Sequence, residues 1–229
     1  LDSPAIVRVK GALSARGAGV LGMMTFGSAH AFALREDLTI DIAAIGAFLA
    51  RHGHAPFLMF GFTFLAWQAL VEQAPRGSFD MHHGILVHSG GWKALQDRAV
   101  DDSVFKARLE EHTKLSRVHN FYGMVEQVGG VFLEGDDGLL YPPDFADVLI
   151  RDPLTFEVLP HGEIGVIQVV SLLPGSYPGH SILTEDRGMI VHEDAPNATR
   201  CGKAFRVLGR VPRAELRGCS DVIATSESS

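Results

Sequence analysis

The chain has 229 residues, a formal net charge of −7 at pH 7 and a hydrophobic fraction of 46%. A charged fraction of 21% and a mean hydropathy of +0.14 exclude a mostly disordered chain, because enough apolar material is present to form a core. The acidic balance, with a pI near 5.8, excludes a nucleic-acid-binding protein that depends on a basic face.

The two cysteines, Cys201 and Cys219, are too few for a disulfide framework, so we expect a cytoplasmic protein with reduced thiols. We also expect no membrane span, since the most apolar run, 57–65, is short and contains Gly61. The chain begins with Leu1 instead of methionine. From this beginning we expect a fragment of a longer protein.

The first 130 residues alternate apolar runs with segments of helical periodicity. The predicted strands are residues 5–9, 57–60, 84–88 and 117–121, and the predicted helices are residues 38–51, 62–73, 92–100 and 103–114. Strands that alternate with helices predict a parallel sheet covered by helices. Right-handed crossovers would then bring the loops at Gly61, Ser89 and Tyr122 to one edge of that sheet.

After Gly130 the pattern changes to short strands separated by turns rich in proline, glycine and aspartate. The predicted strands are residues 131–133, 147–150, 165–172 and 205–208, and residues 135–138 form a predicted hairpin turn. Such a pattern is typical of a small antiparallel sheet or barrel. We therefore expect an α/β fold with an α/β domain over 1–130, a β-rich domain over 131–221 and a disordered tail over 222–229.

The stretch with the clearest chemistry follows the predicted strand 117–121. Open α/β sheets bind ligands at the carboxyl ends of their strands, which is where Tyr122, Gly123 and Glu126 lie. The glycine permits close approach of a ligand to the backbone, and the tyrosine offers a flat face. The glutamate offers a hard oxygen ligand for a divalent cation. An ordinary turn is the alternative interpretation of this stretch.

Two polar residues of the second half suit a nucleotide. Asp186 has two carboxylate oxygens that match the paired hydroxyls of a ribose, although its segment, 184–188, also fits a β-turn. Arg210 follows the predicted strand 205–208, where its guanidinium suits a phosphate or a ribose, or is simply solvated.

The thiols and the histidines are less specific. Cys219 lies beside Arg217, and Cys201 lies beside Arg200; a nearby cation favours the reactive thiolate, while an inert thiol is the alternative for each. The histidines lack the spacing of a zinc site. His88, at the end of the predicted strand 84–88, is placed to line an acyl pocket.

Aromatic residues alternate along the predicted strand that begins at residue 57. Phe60 and Phe62 are candidates for lining the same acyl pocket. A buried aromatic strand without a ligand explains this alternation equally well.

Several of these motifs, taken in this order, resemble the acyl-protein synthetases of bacterial bioluminescence. These LuxE-type fatty-acid–protein ligases belong to the adenylate-forming superfamily of acyl-CoA synthetases and phenylacetate–CoA ligases. The matching pieces are residues 60–64, 88–93, 120–127, 183–188 and 209–221.

The resemblance implies that ATP and Mg²⁺ are the cofactors and assigns a role to each matching residue. It places three residues against the adenine: Ser89, Gly90 and Gly91. It stacks Tyr122 on the adenine ring and puts Glu126 on Mg²⁺. It assigns the ribose to Asp186 and Arg210, and makes Cys219 the thiol that accepts the acyl group.

The resemblance further implies activation of a fatty or other carboxylic acid as an acyl-adenylate. The acyl group would then pass through the enzyme cysteine to a partner protein such as a reductase or carrier. Transfer to coenzyme A and a non-catalytic fragment or binding module are the alternatives. The phosphate-binding loop and the C-terminal lid of the superfamily have no match in the chain, which argues against adenylation by this chain alone.

Overall fold

The computed structural model describes residues 1–7, 14–92, 99–175 and 177–211 of the chain. These residues fall into two compact units, the first ending at Val118 and the second beginning at His119. The domain limits at 130 and 221, inferred from composition, stay predictions. None of the described helices is long and apolar enough to cross a membrane.

The first unit begins with a 3-10 turn, Pro4–Val7, followed by helices α1 (Ala15–Met24) and α2 (Ile42–His52). Asp41 caps α2 by accepting a hydrogen bond from the backbone N–H of Ala44, as a short carboxylate at this position is expected to do. The predicted strand 5–9 is wrong over its described residues, 5–7. A short apolar run has no decisive periodicity, and proline favours the first position of a helical turn.

Two parallel strands follow, β1 (Phe57–Phe62) and β2 (Gly84–Ser89), paired in register from Phe57 opposite Gly84 to Phe62 opposite Ser89. The connection contains α3 (Thr63–Trp67) and a π-helical segment (Gln68–Gln73), and α4 (Asp102–Thr113) comes after β2. The carboxyl ends of β1 and β2 therefore share an edge, as predicted for these two strands, but Gly61 lies inside β1 and not in a loop. The predicted helix 92–100 falls largely on residues 93–98, outside the described residues.

The core of the first unit is formed where α3, the π-helical segment and α4 pack with β2. Its fully buried side chains include Leu65, Leu70, Leu86, Phe105 and Leu109. The helices supply most of this apolar surface and cover β2. Helices that cover the strands are usual for parallel sheets.

The second unit is an antiparallel sheet. Its strands are β3 (Arg117–Tyr122), which begins at the end of the first unit, β4 (Phe132–Glu134), β5 (Leu140–Tyr141), β6 (Ala146–Arg151), β7 (Gly165–Ser171), β8 (Ser181–Glu193) and β9 (Lys203–Arg210). Their order is β3-β4-β5-β9-β8-β7-β6, and every neighbouring pair is antiparallel. The predicted fold class, a parallel helix-covered region followed by an antiparallel β-rich region, is confirmed.

Strand β8 corrects one sequence-based interpretation. Residues 184–188 do not form a turn; they lie inside β8, between β7 and β9. The pairing register shifts between Arg187 and Gly188, and a Cβ at Gly188 would lie 2.5 Å from the carbonyl oxygen of Arg206. The glycine therefore marks a close approach of β9 to β8, which a polar sequence with a glycine does not distinguish from a turn.

Candidate functional site

Asp186 and Arg210 lie opposite each other on the neighbouring strands β8 and β9. The Arg210 Nε is 3.8 Å from Asp186 Oδ1, and the Arg210 Nη1 is 3.5 Å from Glu185 Oε2. The Asp186 side chain is 22% exposed, so it is anchored by the sheet yet open to a ligand. The sheet register thus brings together the two residues that were singled out for a ribose.

Tyr122, at the end of β3, joins this pair. Its hydroxyl donates a hydrogen bond of 2.8 Å to Asp186 Oδ2, and its ring lies 6.0 Å from that of Phe132 and 6.2 Å from that of Phe205. Burial raises the pKa of Tyr122, and the negative charge of Asp186 raises it further. The hydroxyl therefore stays protonated at neutral pH and acts as a donor to the carboxylate.

Thr184 fixes the backbone that carries Asp186. Its hydroxyl accepts a hydrogen bond of 3.1 Å from the Asp186 N–H and donates one of 2.8 Å to the carbonyl of Ile167 on β7. No role was predicted for Thr184. A hydroxyl two residues before a carboxylate is a typical local backbone partner, so the sequence did contain a weak signal.

Glu126 lies four residues after Tyr122, in a 3-10 turn over Val125–Gln127, and its side chain is exposed. The preceding Gly123 is tightly placed, because a Cβ there would lie 3.1 Å from the carbonyl oxygen of Gly130. Within the described ranges, no group of three or more His, Cys, Asp or Glu side chains is arranged to hold a metal ion. Glu126 therefore stands as a single accessible carboxylate.

In the first unit, the turn Ser89-Gly90-Gly91 is held by the buried hydroxyl of Thr63. This hydroxyl donates a hydrogen bond of 2.7 Å to the Gly90 carbonyl and lies 3.0 Å from His88 Nδ1. Gly90 has φ +84°, a conformation that glycine adopts without strain. No role was predicted for Thr63, because a threonine that follows an aromatic strand matches no sequence motif for a site.

His88 is 2% exposed, and its ring packs 4.8 Å from the ring of Phe105. It therefore lies in the core of the first unit and supports the turn through Thr63. Its predicted place in an acyl pocket stays a prediction.

The first unit also contains a cavity of about 410 Å³ lined by α1, α2 and β1. Its lining is mainly apolar and includes Val20, Met23, Phe48, Leu49 and Phe60. The volume lies in the usual range of ligand pockets, about 300–1,000 Å³.

Phe62 connects this cavity with the glycine turn. Its ring is 5.9 Å from that of Phe60, and one of its ring atoms would lie 3.2 Å from a Cβ at Gly90.

The predicted site residues therefore fall into two groups. The second unit assembles Tyr122, Asp186 and Arg210 through direct contacts, with Gly123 and Glu126 following Tyr122 in the chain. The first unit carries Ser89, Gly90, Gly91, Phe60, Phe62 and His88. Cys219 lies outside the described residues, whereas Cys201 is exposed in the loop before β9.

The sequence profile of the acyl-protein synthetase family, LuxE, matches residues 9–227. The chain belongs to the LuxE family.

Two curated relatives of this LuxE chain are long-chain-fatty-acid–luciferin-component ligases. The protein from Vibrio harveyi is 26% identical over 138 residues, which cover 59% of this chain and 35% of that protein. The protein from Aliivibrio fischeri is 24% identical over 164 residues, which cover 69% of this chain and 42% of that protein. The LuxE chain thus matches less than half the length of these two relatives.

Solved structures show which fold the LuxE chain adopts. Apo MatB from Rhodopseudomonas palustris aligns with a TM-score of 0.51 and 18% identity, over 75% of this chain and 33% of MatB. The amide bond synthetase McbA from Marinactinospora thermotolerans aligns with the same TM-score and identity, over 75% of this chain and 34% of McbA. At this identity the likeness establishes a fold shared with MatB and McbA, and the fold alone.

Proposed function

We propose that this chain carries the nucleotide-binding part of an ATP-dependent ligase that activates a fatty acid as an acyl-adenylate. The observation that carries the proposal is the placement of Asp186 between Tyr122, which donates a hydrogen bond to it, and Arg210, which forms an ion pair with it. Membership of the LuxE family supports it, as does the similarity to two long-chain-fatty-acid–luciferin-component ligases.

In this proposal Asp186 accepts hydrogen bonds from the ribose hydroxyls, and Arg210 lies beside it to hold the same sugar. The Tyr122 hydroxyl is already bound to Asp186, so a face of its ring is the part available to stack on the adenine. The turn formed by Ser89, Gly90 and Gly91 offers backbone without side-chain bulk and is proposed to lie against the adenine as well.

Glu126 is proposed as the magnesium ligand. Mg²⁺ is usually held by one or two carboxylates together with substrate phosphates and water, so a single exposed glutamate fits an ion that arrives with ATP. When bound, the ion would compensate charge on the phosphate oxygens. In this role Glu126 supplies one carboxylate oxygen as a ligand, and the position of that oxygen sets the position of the ion.

The apolar cavity of the first unit is proposed to take the alkyl chain of the acid. Its lining by Val20, Phe48 and Phe60 favours an apolar ligand, because removing apolar surface from water stabilises the complex. Phe62, between Phe60 and Gly90, links the cavity with the turn assigned to the adenine.

Two bond exchanges make up the proposed reaction. The substrate carboxylate attacks the α-phosphorus of ATP, the bond to the β-phosphate breaks and pyrophosphate leaves. The thiolate of Cys219 then attacks the acyl carbonyl, and AMP leaves with the bonding electrons, which gives a thioester. A partner protein such as a reductase or a carrier would accept the acyl group last.

The adenylation step is tested by the exchange of labelled pyrophosphate into ATP, measured on the complete protein with and without the fatty acid. We expect exchange that requires a long-chain fatty acid and Mg²⁺ and that is strongly weakened in Asp186→Asn when the ATP concentration is low. Exchange that is absent from the folded wild-type protein would contradict the proposal and favour a non-catalytic binding module.

The transfer step is tested with radiolabelled fatty acid and ATP. We expect covalent label that disappears in Cys219→Ser and persists in Cys201→Ser, the matched control at the exposed cysteine. The reverse pattern would assign the transfer to Cys201. Release of AMP that requires coenzyme A and is unchanged in Cys219→Ala would replace the protein acceptor with coenzyme A.

A further inference from the structure

Gln127 is a buried polar residue beside the exposed Glu126. It is 2% exposed, although a glutamine on a short surface turn is ordinarily solvated. Its carboxamide nitrogen has hydrogen-bond partners, whereas its Oε1 is buried without a hydrogen-bond partner among the described residues, so the contacts of the nitrogen carry the attachment.

Those partners are backbone carbonyls of β7 and of the segment between β7 and β8. Gln127 Nε2 donates to the carbonyl of Gly179 at 2.8 Å and to that of Val169 at 3.4 Å. Because both acceptors are carbonyls, the amide nitrogen must face them, and the reverse orientation would set oxygen against oxygen. The turn that carries Glu126 is thereby attached to the sheet.

The backbone of Glu126 has a second attachment on the same side. The Tyr177 hydroxyl donates a hydrogen bond to the carbonyl oxygen of Glu126. Gly179 packs directly against that carbonyl, since a Cβ at this position would lie 2.8 Å from the Glu126 oxygen. The main chain of Glu126 is thus held while its carboxylate projects from the surface.

We infer that Gln127 is a positioning residue for the Glu126 carboxylate, fixing the metal-ligand oxygen by tying the turn to Val169 and Gly179. The inference rests on the proposed function, in which Glu126 holds Mg²⁺. Partners that orient a metal ligand typically change metal affinity or activity by about 10- to 100-fold when they are removed. Tyr177 contributes to the same attachment through the carbonyl of Glu126.

The test is Gln127→Met on the complete protein, which keeps the length of the side chain and removes both donated hydrogen bonds. Binding of Mn²⁺ as a magnesium substitute is followed by electron paramagnetic resonance in the presence of α,β-methylene-ATP. We expect Mn²⁺ affinity to fall about tenfold. The KM for the fatty acid should stay unchanged, because the apolar cavity is not altered.

Gln168→Met is the matched control. Gln168 lies on β7 in the same unit, and its amide donates to Ser181 Oγ at 2.7 Å and accepts from Arg151 Nε at 2.6 Å. The control removes a hydrogen-bonded amide from the same sheet without touching the turn, so Mn²⁺ affinity should change less than twofold. Tyr177→Phe serves as a second variant if Gln127→Met does not fold, and its Mn²⁺ affinity should also fall.

The outcomes separate the inference from the proposed function. Equal Mn²⁺ affinity in Gln127→Met and Gln168→Met, in a protein that loses Mn²⁺ binding in Glu126→Gln, would overturn the inference alone. Unchanged Mn²⁺ binding in Glu126→Gln would instead overturn the metal role of Glu126 and with it the premise of the inference.

Discussion

The two units differ in the kind of surface that they offer to a ligand. The first, with parallel strands covered by helices, contains an apolar cavity bordered by Phe60. The second, an antiparallel sheet, presents an ion pair of Asp186 and Arg210. Covered parallel sheets are apolar on both faces, whereas antiparallel sheets place polar residues on an open face. The first unit therefore offers a surface for an apolar ligand, and the second offers one for a polar ligand.

The units are alike in how they hold their turns. In the first, the buried hydroxyl of Thr63 binds the carbonyl of Gly90; in the second, the buried amide of Gln127 binds the carbonyl of Gly179. Each of these side chains lies outside the predicted site residues. Buried polar groups of this kind fix a backbone because an unsatisfied partner would be costly.

The largest effect is expected for Asp186→Ala, which tests whether nucleotide recognition belongs to the second unit. The variant removes the proposed acceptor for the ribose hydroxyls, which is also the partner of Tyr122 and Arg210. Hydrogen bonds to a charged group contribute about 1.5–3 kcal/mol each, so the KM for ATP should rise about 100-fold in steady-state assays. The KM for the fatty acid should stay unchanged.

Asp147→Ala is the control for this variant. Asp147 lies on β6 of the same unit, and its carboxylate is 2.8 Å from Lys203 Nζ with 52% of the side chain exposed. An exposed ion pair contributes little, so the KM for ATP should not change. If Asp186→Ala raised the KM for ATP and the KM for the fatty acid equally, the assignment of ATP to the second unit and of the fatty acid to the first would be contradicted.

A smaller effect, on the other substrate, is expected for Val20→Phe in the cavity of the first unit. The larger side chain should exclude about two methylene groups, each worth about 0.8 kcal/mol, and raise the KM for a long-chain acid about tenfold. The KM for ATP should not change. Val104→Phe, at a 42% exposed position on α4, is the matched control and should leave both constants unchanged. If Val20→Phe raised only the KM for ATP, the acyl chain would not bind in this cavity.

The smallest effect is expected for Tyr122→Phe, which removes the hydroxyl that donates a hydrogen bond to Asp186. The free energy of unfolding should fall by about 1–2 kcal/mol near pH 8, measured by urea denaturation. The pKa of Tyr122 is raised in the folded protein by burial and by Asp186, whereas a tyrosine hydroxyl in the unfolded chain has a pKa of about 10. The folded protein therefore keeps a proton that the unfolded chain loses, and the stabilisation is present below about pH 10 and declines as the pH rises further.

The difference between wild type and Tyr122→Phe should accordingly narrow between about pH 8 and about pH 10.5. The phenylalanine variant is its own control, because it has no ionisable group at this position. A difference that stays constant over this range would show that the pKa of Tyr122 is the same in the folded and the unfolded chain, which would contradict its burial beside Asp186.

Local structure was largely accessible from the sequence. The apolar runs of β1 and β2 and the hairpin turn at 135–138 follow from side-chain periodicity and from residues with strong backbone preferences. The segments that were misread, 5–7 and 184–188, are short and lack such signals. In these segments the competing conformations differ little in local energy, and contacts from elsewhere in the chain decide between them.

The sequence by itself determined the residue types of the candidate site and the strands that carry them. Only the tertiary structure decided that the Tyr122 hydroxyl reaches Asp186, 64 positions away, and that Gln127 holds the turn of Glu126. Such contacts depend on the register of an antiparallel sheet, where a slip of one residue turns every side chain to the opposite face. That register is set by the packing of the whole unit, which no single stretch of sequence encodes.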